Sequence, residues 1–177
     1  MNDHDALGWY AGKRVFLTGH TGFKGAWLSL WLQQIGAQVT GFALAPETHS
    51  LFAAGGVADG MTSIIGDVRN RSSLAAALRD AAPDIIFHMA AQSLVRRSYE
   101  QPVETFETNV IGTANLLDSV RSLPDIRAIV VVTSDKCYEN HGTGAPFAED
   151  MPMGGHDPYS ASKGCTELVT TAFARSY

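Results

Sequence analysis

Strand-like stretches alternate with helix-like stretches along most of this chain. The strand-like stretches lie at residues 15–17, 37–42, 62–65, 85–88 and 126–132. Apolar residues at helical spacing lie between them at 23–35, 70–82 and 103–120, and again from residue 158 to the end. This alternation predicts an α/β fold, with one parallel sheet covered by helices on both faces. Right-handed crossovers then give a doubly wound sheet of strand order 3-2-1-4-5, which binds ligands at the carboxyl ends of its strands.

Composition excludes several classes of protein. A formal net charge of −5 argues against a nucleic-acid-binding surface, and no apolar run is long enough to span a membrane. The first ten residues contain acids where a signal peptide would be basic, so we expect a cytoplasmic protein. Cys137 and Cys165 fit no metal-binding or disulfide spacing, so we expect no metal. Residues 44–60 and 139–157 are rich in glycine and proline, and we expect loops there.

A glycine-rich turn follows the first strand and opens the first helix. Its glycines permit a tight turn and let a pyrophosphate approach the backbone at the positive end of a helix. The candidate dinucleotide-binding residues here are Gly19, His20, Thr21, Gly22, Phe23, Lys24 and Gly25. The side chains of Lys24 and His20 either add positive charge near the phosphates or are solvated in the loop.

The end of the second strand lacks the acid that usually binds the adenosine ribose. No acid occurs there before Glu47, and such an acid would bind NAD and repel the 2′-phosphate of NADP. The choice between NAD and NADP therefore stays open. After the third strand, Asp67 either accepts a hydrogen bond from the adenine amine or caps the next helix, and Val68 follows it.

Small residues follow the fourth strand. Ala90, Ala91 and Gln92 let the chain pass close beside a cofactor. His88, at the end of the strand, is interpreted as an interior histidine with satisfied hydrogen bonds.

Two further features lie beyond this strand. One of Arg96 and Arg97 is expected to bind substrate phosphates, because a planar guanidinium suits them, and Arg96 is the candidate. Asn109 lies on the long helix, where it is expected to pin that helix to the active-site strand beside the cofactor.

Tyr159 and Lys163 share one face of the last helix, because they are four residues apart. A nearby ammonium favours the phenolate and lowers the tyrosine pKa, so Tyr159 can remove a hydroxyl proton from a substrate. Ser134, after the fifth strand, can share the hydrogen bond of that hydroxyl, and Thr133 precedes it beside the expected cofactor.

An acid and a potential base, Asp135 and Lys136, come directly after Ser134. A site that combines a Tyr–Lys pair with an acid and a base can eliminate water as well as move a hydride. Lys136 acts as a base only if burial or nearby positive charge lowers its pKa well below about 10.4. Otherwise it orients Asp135 or a water molecule.

These motifs together resemble those of the extended short-chain dehydrogenase/reductases. The matching pieces are Thr18-Gly19-x-x-Gly22-x-x-Gly25, Asp67-Val68, Ala90-Ala91-Gln92, Asn109-Val-x-Gly112-Thr and Tyr159-x-x-x-Lys163. Within that superfamily, the sequence of the glycine-rich turn and the sequence Thr133-Ser-Asp-Lys-Cys-Tyr138 resemble those of the CDP-glucose 4,6-dehydratase group. The resemblance implies a Rossmann-type sheet, bound NAD and CDP-glucose as the substrate.

The implied reaction is an internal redox cycle in which water is lost between the two hydride transfers. Tyr159, assisted by Lys163 and Ser134, deprotonates the C4 hydroxyl while a hydride goes to NAD. Lys136 then removes the C5 proton and Asp135 protonates the departing C6 hydroxyl, after which the hydride returns to C6. The resemblance also implies a place in deoxysugar synthesis for lipopolysaccharide O-antigen.

The resemblance covers only the first half of such an enzyme. Because the chain ends within a predicted helix, we expect residues 1–177 to be the NAD-binding domain, with the substrate domain absent. A homodimer through the helices near 103–120 and 158–177 is implied, although burial within one monomer explains their apolar stripes equally well. Two alternatives remain: a nucleotide-sugar epimerase or reductase of the same superfamily, and a non-catalytic nucleotide-binding fragment.

Overall fold

A five-stranded parallel sheet forms the centre of the molecule. The computed structural model describes residues 7–142, 144 and 146–177. The strands run in the order β3-β2-β1-β4-β5, all in parallel, as the sequence predicts. They are β1 (Arg14–Thr18), β2 (Gln38–Ala43), β3 (Thr62–Ile65), β4 (Ile85–His88) and β5 (Ala128–Val131).

Helices connect the strands on both faces. They are α1 (Phe23–Gln34), α2 (Leu51–Ala54), α3 (Arg71–Ala81), α4 (Val95–Glu100), α5 (Pro102–Phe106), α6 (Gly112–Val120) and α7 (Pro158–Ser176). A π-helical segment, Glu107–Ile111, joins α5 to α6, and 3₁₀ turns lie at Val57–Gly60 and Asp135–Cys137.

Local chemistry explains where the main helices begin and end. Gly36 adopts a φ of 83° after α1, a left-handed conformation that glycine takes without a steric cost. The side chain of Asn70 accepts the Ser73 N–H and caps α3. Asp157 caps α7 in the same way, and Pro158 occupies its first turn.

Three parts of the chain differ from the sequence-based expectation. The segment 44–60 is not loop throughout, because it contains α2 and the first 3₁₀ turn. A separate helix, α4, precedes the long helix, which begins at Pro102 and is interrupted by the π-helical segment. The fifth strand is shorter than 126–132. In the expected loop 139–157, residues 143 and 145 lie outside the described residues. Residues 1–6, which belong to the acidic N-terminal stretch unlike a signal peptide, also lie outside them.

The core forms on both faces of the sheet. Neighbouring residues of one strand, Val15 and Phe16, are both buried but belong to opposite clusters, as the alternation of side chains in a strand requires. The larger cluster packs the sheet against α3 and α6, for example through Leu74 and Leu116. The sheet is therefore covered on both sides, and the carboxyl ends of its strands lie along one edge.

Two absences hold for the described part of the chain. None of its helices is both long and apolar enough to cross a membrane. Its His, Cys, Asp and Glu side chains form no group of three that could hold a metal ion.

Candidate active site

The glycine-rich turn after β1 lies so close to other backbone atoms that side chains would not fit at two of its glycines. Gly19 has a φ of 78°, and a Cβ on it would stand 2.8 Å from the backbone nitrogen of Ala90. A Cβ on Gly25 would overlap the Gly19 carbonyl oxygen. Gly22 precedes α1 and offers no side chain to cap it, so the first N–H groups of the helix are left for an anion.

A groove runs from this turn along the carboxyl ends of the strands. All the residues expected to bind a cofactor line it, except His20 and Asn109. They are Gly19, Thr21, Gly22, Phe23, Lys24, Gly25, Asp67, Val68, Ala90, Ala91, Gln92, Thr133, Tyr159 and Lys163. The groove is therefore one continuous surface that can accommodate an extended ligand.

A buried hydrogen-bond chain fixes the floor of the groove between β1 and β4. The Oγ1 of Thr18 accepts the N–H groups of Met89 and Ala90, both at 3.1 Å, and its hydroxyl lies 2.7 Å from Nδ1 of His88. The Nε2 of His88 lies 3.0 Å from the hydroxyl of Thr113, which donates to the carbonyl oxygen of Asn109. Thr113 therefore accepts from Nε2–H, and Nδ1 of His88 accepts from Thr18.

This arrangement makes His88 a neutral interior histidine, as interpreted from the sequence. Its side chain is fully buried and both ring nitrogens have partners. Burial lowers its pKa to about 3, with a further contribution from the positive charge of Lys163.

Asn109 joins three elements behind the groove. Its Oδ1 accepts the Gln92 N–H at 2.8 Å, and its Nδ2 donates to the Gln92 carbonyl and to Ser162 of α7. These hydrogen bonds pin the π-helical segment to the exit of β4. Asn109 is 1% exposed and is not among the residues that line the groove, so its expected contact with the cofactor stays a prediction. The π-helical geometry places it there, as such segments often do near functional sites.

Tyr159 and Lys163 form one wall of the groove, and both are buried. The Nζ of Lys163 donates to the carbonyl oxygen of Val132 at 3.2 Å, just beyond β5. Burial lowers the pKa of Lys163 to about 8, although the carboxylate of Glu167 acts in the opposite direction. A cation in this position can stabilise a phenolate on Tyr159, one helical turn away.

The polar triplet Ser134, Asp135 and Lys136 stands beside this wall. The Oγ of Ser134 accepts the Lys136 N–H at 3.1 Å and caps the second 3₁₀ turn. Asp135 and Lys136 are both exposed, so the described residues do not supply the burial that a lysine base requires. None of the three is among the residues that line the groove, although Thr133, directly before them, is. Their catalytic roles therefore stay predictions.

The side chain of His20 does not fit the expected role near phosphates. It is fully buried beneath the turn, where Nε2 lies 2.7 Å from the Ser63 hydroxyl and the ring packs edge-on against Phe52. Burial lowers its pKa to about 4, so the ring is neutral and contributes no positive charge. Lys24 is exposed in the groove, where its ammonium group can add positive charge near a phosphate.

Asp67 is held by Arg69 and does not cap a helix. Its carboxylate accepts hydrogen bonds from the backbone and guanidinium of Arg69, which lower the pKa of Asp67. The residue that caps α3 is Asn70. The Asp67 side chain still lines the groove, at the end of β3.

Of the two neighbouring arginines, Arg97 lines the groove and Arg96 does not. The side chain of Arg96 is 96% exposed and lies near Glu100, whereas Arg97 donates to Glu104 at 3.0 Å. Both arginines line a second cavity beside α4, so Arg96 as the residue that binds substrate phosphates stays a prediction.

The groove also contains residues that the sequence did not single out. The segment after β2 contributes His49 and Ser50, beside Glu47, which is the first acid after that strand, and α5 contributes Glu104. The α2 helix that follows Ser50 is too short to give a periodic pattern. Glu167, one turn beyond Lys163, accepts a hydrogen bond from Thr133, a contact that only the fold brings together.

Comparison with known proteins agrees with this geometry. Residues 16–177 match the family model described as GDP-mannose 4,6 dehydratase. The chain is 55% identical over 169 residues to the CDP-glucose 4,6-dehydratase of Salmonella typhimurium strain LT2, covering 95% of this chain and 47% of the relative. It thus spans about half the length of the curated relatives it matches.

Solved structures with the same fold include two nucleotide-sugar proteins. The dTDP-glucose 4,6-dehydratase of Bacillus anthracis strain Ames in complex with NAD superimposes with a TM-score of 0.78 at 25% identity, over 92% of this chain and 50% of that one. MoeE5 in complex with UDP-glucose and NAD superimposes with a TM-score of 0.75 at 27% identity, over 90% of this chain and 48% of that one. With the glycine-rich turn, the Tyr–Lys wall and the matched residues 16–177 in agreement, the chain belongs to the GDP-mannose 4,6 dehydratase family.

Proposed function

We propose that this chain is the NAD-binding domain of a CDP-glucose 4,6-dehydratase. The reaction converts CDP-D-glucose to CDP-4-keto-6-deoxy-D-glucose and water. The observation that carries the proposal is the placement of Ser134, Asp135 and Lys136 at the exit of β5, beside the buried Tyr159–Lys163 wall. The 55% identity to a protein named CDP-glucose 4,6-dehydratase supports the substrate.

The groove has the features that NAD requires. The free N–H groups at the start of α1 and the absence of Cβ atoms at Gly19 and Gly25 suit a pyrophosphate pressed against the backbone. Asp67 and Val68 would hold the adenine end, and Thr133, Tyr159 and Lys163 the nicotinamide end. When bound, NAD supplies an acceptor for the C4 hydride of the sugar and returns it at C6.

The acids around the groove favour NAD over NADP. The Arg69 guanidinium lies within 4.0 Å of carboxylate oxygens of Asp67, Glu104 and Glu107, and Arg97 is paired with Glu104. These arginines are therefore already neutralised by carboxylates. A 2′-phosphate would have to compete with those acids for its counter-charge.

The residues of the chain divide the proton transfers between them. Tyr159 takes the proton of the C4 hydroxyl while Ser134 holds that oxygen, and the Lys163 ammonium lies one helical turn away, where it stabilises negative charge. The 4-ketone that results acidifies the C5–H bond. Lys136 removes the C5 proton, and Asp135 gives a proton to the C6 hydroxyl as it leaves as water.

The remaining parts of the proposal concern the whole protein. A substrate domain beyond residue 177 would cover the exposed Asp135 and Lys136 and supply contacts to the cytosine base. A homodimer through α5, the π-helical segment, α6 and α7 would cover apolar side chains on them that this chain leaves more than half exposed, such as Val103, Ile111 and Leu168. A cytoplasmic location and a role in deoxysugar synthesis for O-antigen complete the proposal.

The full-length protein tests the activity directly. Purified protein is incubated with CDP-glucose and NAD, and the 4-keto sugar is detected by its absorbance in base and by the mass of the product. Loss of one water from CDP-glucose is the expected result. Turnover of CDP-glucose without loss of water, or activity only on another nucleotide sugar, would instead favour an epimerase. Binding of NAD without any turnover would favour a nucleotide-binding module.

A further inference from the structure

Two consecutive residues that follow β5 form hydrogen bonds with two residues of α7. The carbonyl oxygen of Val132 accepts the Nζ of Lys163, and the hydroxyl of Thr133 donates to the carboxylate of Glu167. Lys163 and Glu167 are four residues apart on α7 and so lie on one face, one turn from each other. Ser134 follows directly, so both contacts hold the backbone that carries the reactive triplet.

The same carboxylate acts on the charge of Lys163. The Lys163 side chain is 5% exposed, and burial disfavours its ammonium form. Glu167 raises the pKa of Lys163 and so offsets part of that effect. The other titratable groups that interact with the pair are Tyr159 on the same helix and His88 on β4, together with Cys137 and Tyr138 in and after the second 3₁₀ turn.

These neighbours leave Glu167 as the negative group that balances Lys163. His88 is neutral because of its burial, and burial together with the charge of Glu167 raises the pKa of the Cys137 thiol. Within the described part of the chain, Glu167 does not line the groove, whereas Lys163 does. It therefore acts on the reacting atoms only through Lys163 and Thr133.

We propose that Glu167 is a positioning residue, which keeps Lys163 in its ammonium form and holds Thr133 and Ser134 against α7. This inference rests on the proposed role of the Tyr159–Lys163 pair. Without the carboxylate, Lys163 loses its proton at a lower pH, and the Tyr159 phenolate loses the cation that stabilises it. The alkaline limit of activity then moves toward neutral pH.

Two substitutions separate the charge from the hydrogen bond. Glu167→Gln keeps an oxygen that accepts the Thr133 hydroxyl but removes the negative charge. Thr133→Val removes the hydroxyl and keeps the charge. Glu167→Thr is a smaller uncharged substitute if circular dichroism shows that Glu167→Gln is misfolded.

The first measurement is the pH profile of kcat in full-length protein. For Glu167→Gln we expect the alkaline midpoint to fall by about one pH unit, which lowers kcat at the original midpoint about fivefold. For Thr133→Val we expect a lower kcat with an unchanged midpoint and an unchanged KM. An alkaline midpoint that is the same in Glu167→Gln and the parent protein overturns the proposal.

The second measurement does not depend on turnover. Lysine side chains react with acetic anhydride only in the neutral form, so mass spectrometry of Lys163 acetylation against pH reports its protonation. We expect the midpoint for Lys163 to fall in Glu167→Gln and to stay in Thr133→Val. A protein that makes no product from CDP-glucose would refute the proposed activity, while an unmoved Lys163 midpoint would refute the role of Glu167.

Discussion

Gly41 lies against the imidazole ring of His20, so closely that a Cβ at position 41 would overlap the ring. The glycine sits within β2, and the histidine enters the core from the turn after β1. A glycine within a strand often marks such an approach by another group. The contact lets the histidine reach Ser63 on β3, so it ties the cofactor turn to two strands.

We predict that Gly41→Ala destabilises the protein and that His20→Ala relieves this loss. The added methyl group has no space while the ring is present, and overpacking of this kind costs about 1–3 kcal/mol. Urea unfolding of the two single variants and the double variant gives the coupling energy. We expect the double variant to be more stable than the sum of the single losses predicts. Additive losses would mean that the ring and Gly41 do not constrain each other.

A second prediction separates the two demands on Gly19. Gly19→Ala forces a side chain into a φ of 78° and against the Ala90 backbone. Gly12→Ala is the matched control, because Gly12 has a φ of 73° but nothing within 4 Å of an added Cβ. The control should lose about 1–2 kcal/mol from backbone strain alone. Gly19→Ala should lose more and should also weaken NAD binding, measured by calorimetry. Equal losses and unchanged NAD affinity would contradict the close approach.

The sheet could be predicted from the sequence, because its signal is local. The third and fourth strands, Thr62–Ile65 and Ile85–His88, have the predicted bounds, since each is a short stretch that ends in apolar or aromatic residues between turn residues. The π-helical segment could not be predicted. Asn109 is held there by Gln92 and Ser162, which are 17 and 53 residues away in the chain.

The sequence predicted which small residues bring the backbone to the groove better than it predicted where the larger side chains point. The glycines and alanines that face the groove follow from what a pyrophosphate requires of a strand–helix turn. The direction of the His20 side chain depends on Gly41 and Ser63, which belong to other strands. The choice between Arg96 and Arg97 depends on how α4 is rotated, and α4 has no apolar periodicity to reveal it.

The buried histidines predict a loss of stability in acid. Burial lowers the pKa of His88 to about 3 and that of His20 to about 4, below the ordinary value of 6.5. The unfolded chain therefore binds more protons between pH 6.5 and these values, so stability is full above pH 6.5 and falls as the pH falls.

Each histidine contributes a slope of up to about 1.4 kcal/mol per pH unit in that window. We predict that His88→Gln reduces the slope of the unfolding free energy, measured by urea titrations between about pH 4 and 7. His141→Gln, at an exposed position, is the control and should leave the slope as it is. If the unfolding free energy of His88→Gln has the same pH slope as that of the parent protein, His88 is not the buried neutral histidine that causes the loss of stability in acid.

The last prediction concerns Lys136. Because its side chain is exposed and its backbone N–H is held by Ser134, the residue is presented to a substrate without being part of the core. If it is the base at C5, Lys136→Ala should still oxidise C4 but should lose exchange of the C5 proton with solvent deuterium. General-base catalysis of this kind is worth about 10²–10⁴-fold in rate.

Deuterium incorporation is followed by mass spectrometry of CDP-glucose recovered from full-length protein, with Asp135→Asn and Lys13→Ala measured alongside. Asp135→Asn should retain C5 exchange and lose release of water, because the acid acts after the C5 proton has left. Lys13 precedes β1, at the edge of the sheet opposite the groove, so Lys13→Ala should behave as the parent protein. Full C5 exchange in Lys136→Ala would assign the base to another residue and leave Lys136 to orient Asp135 or water.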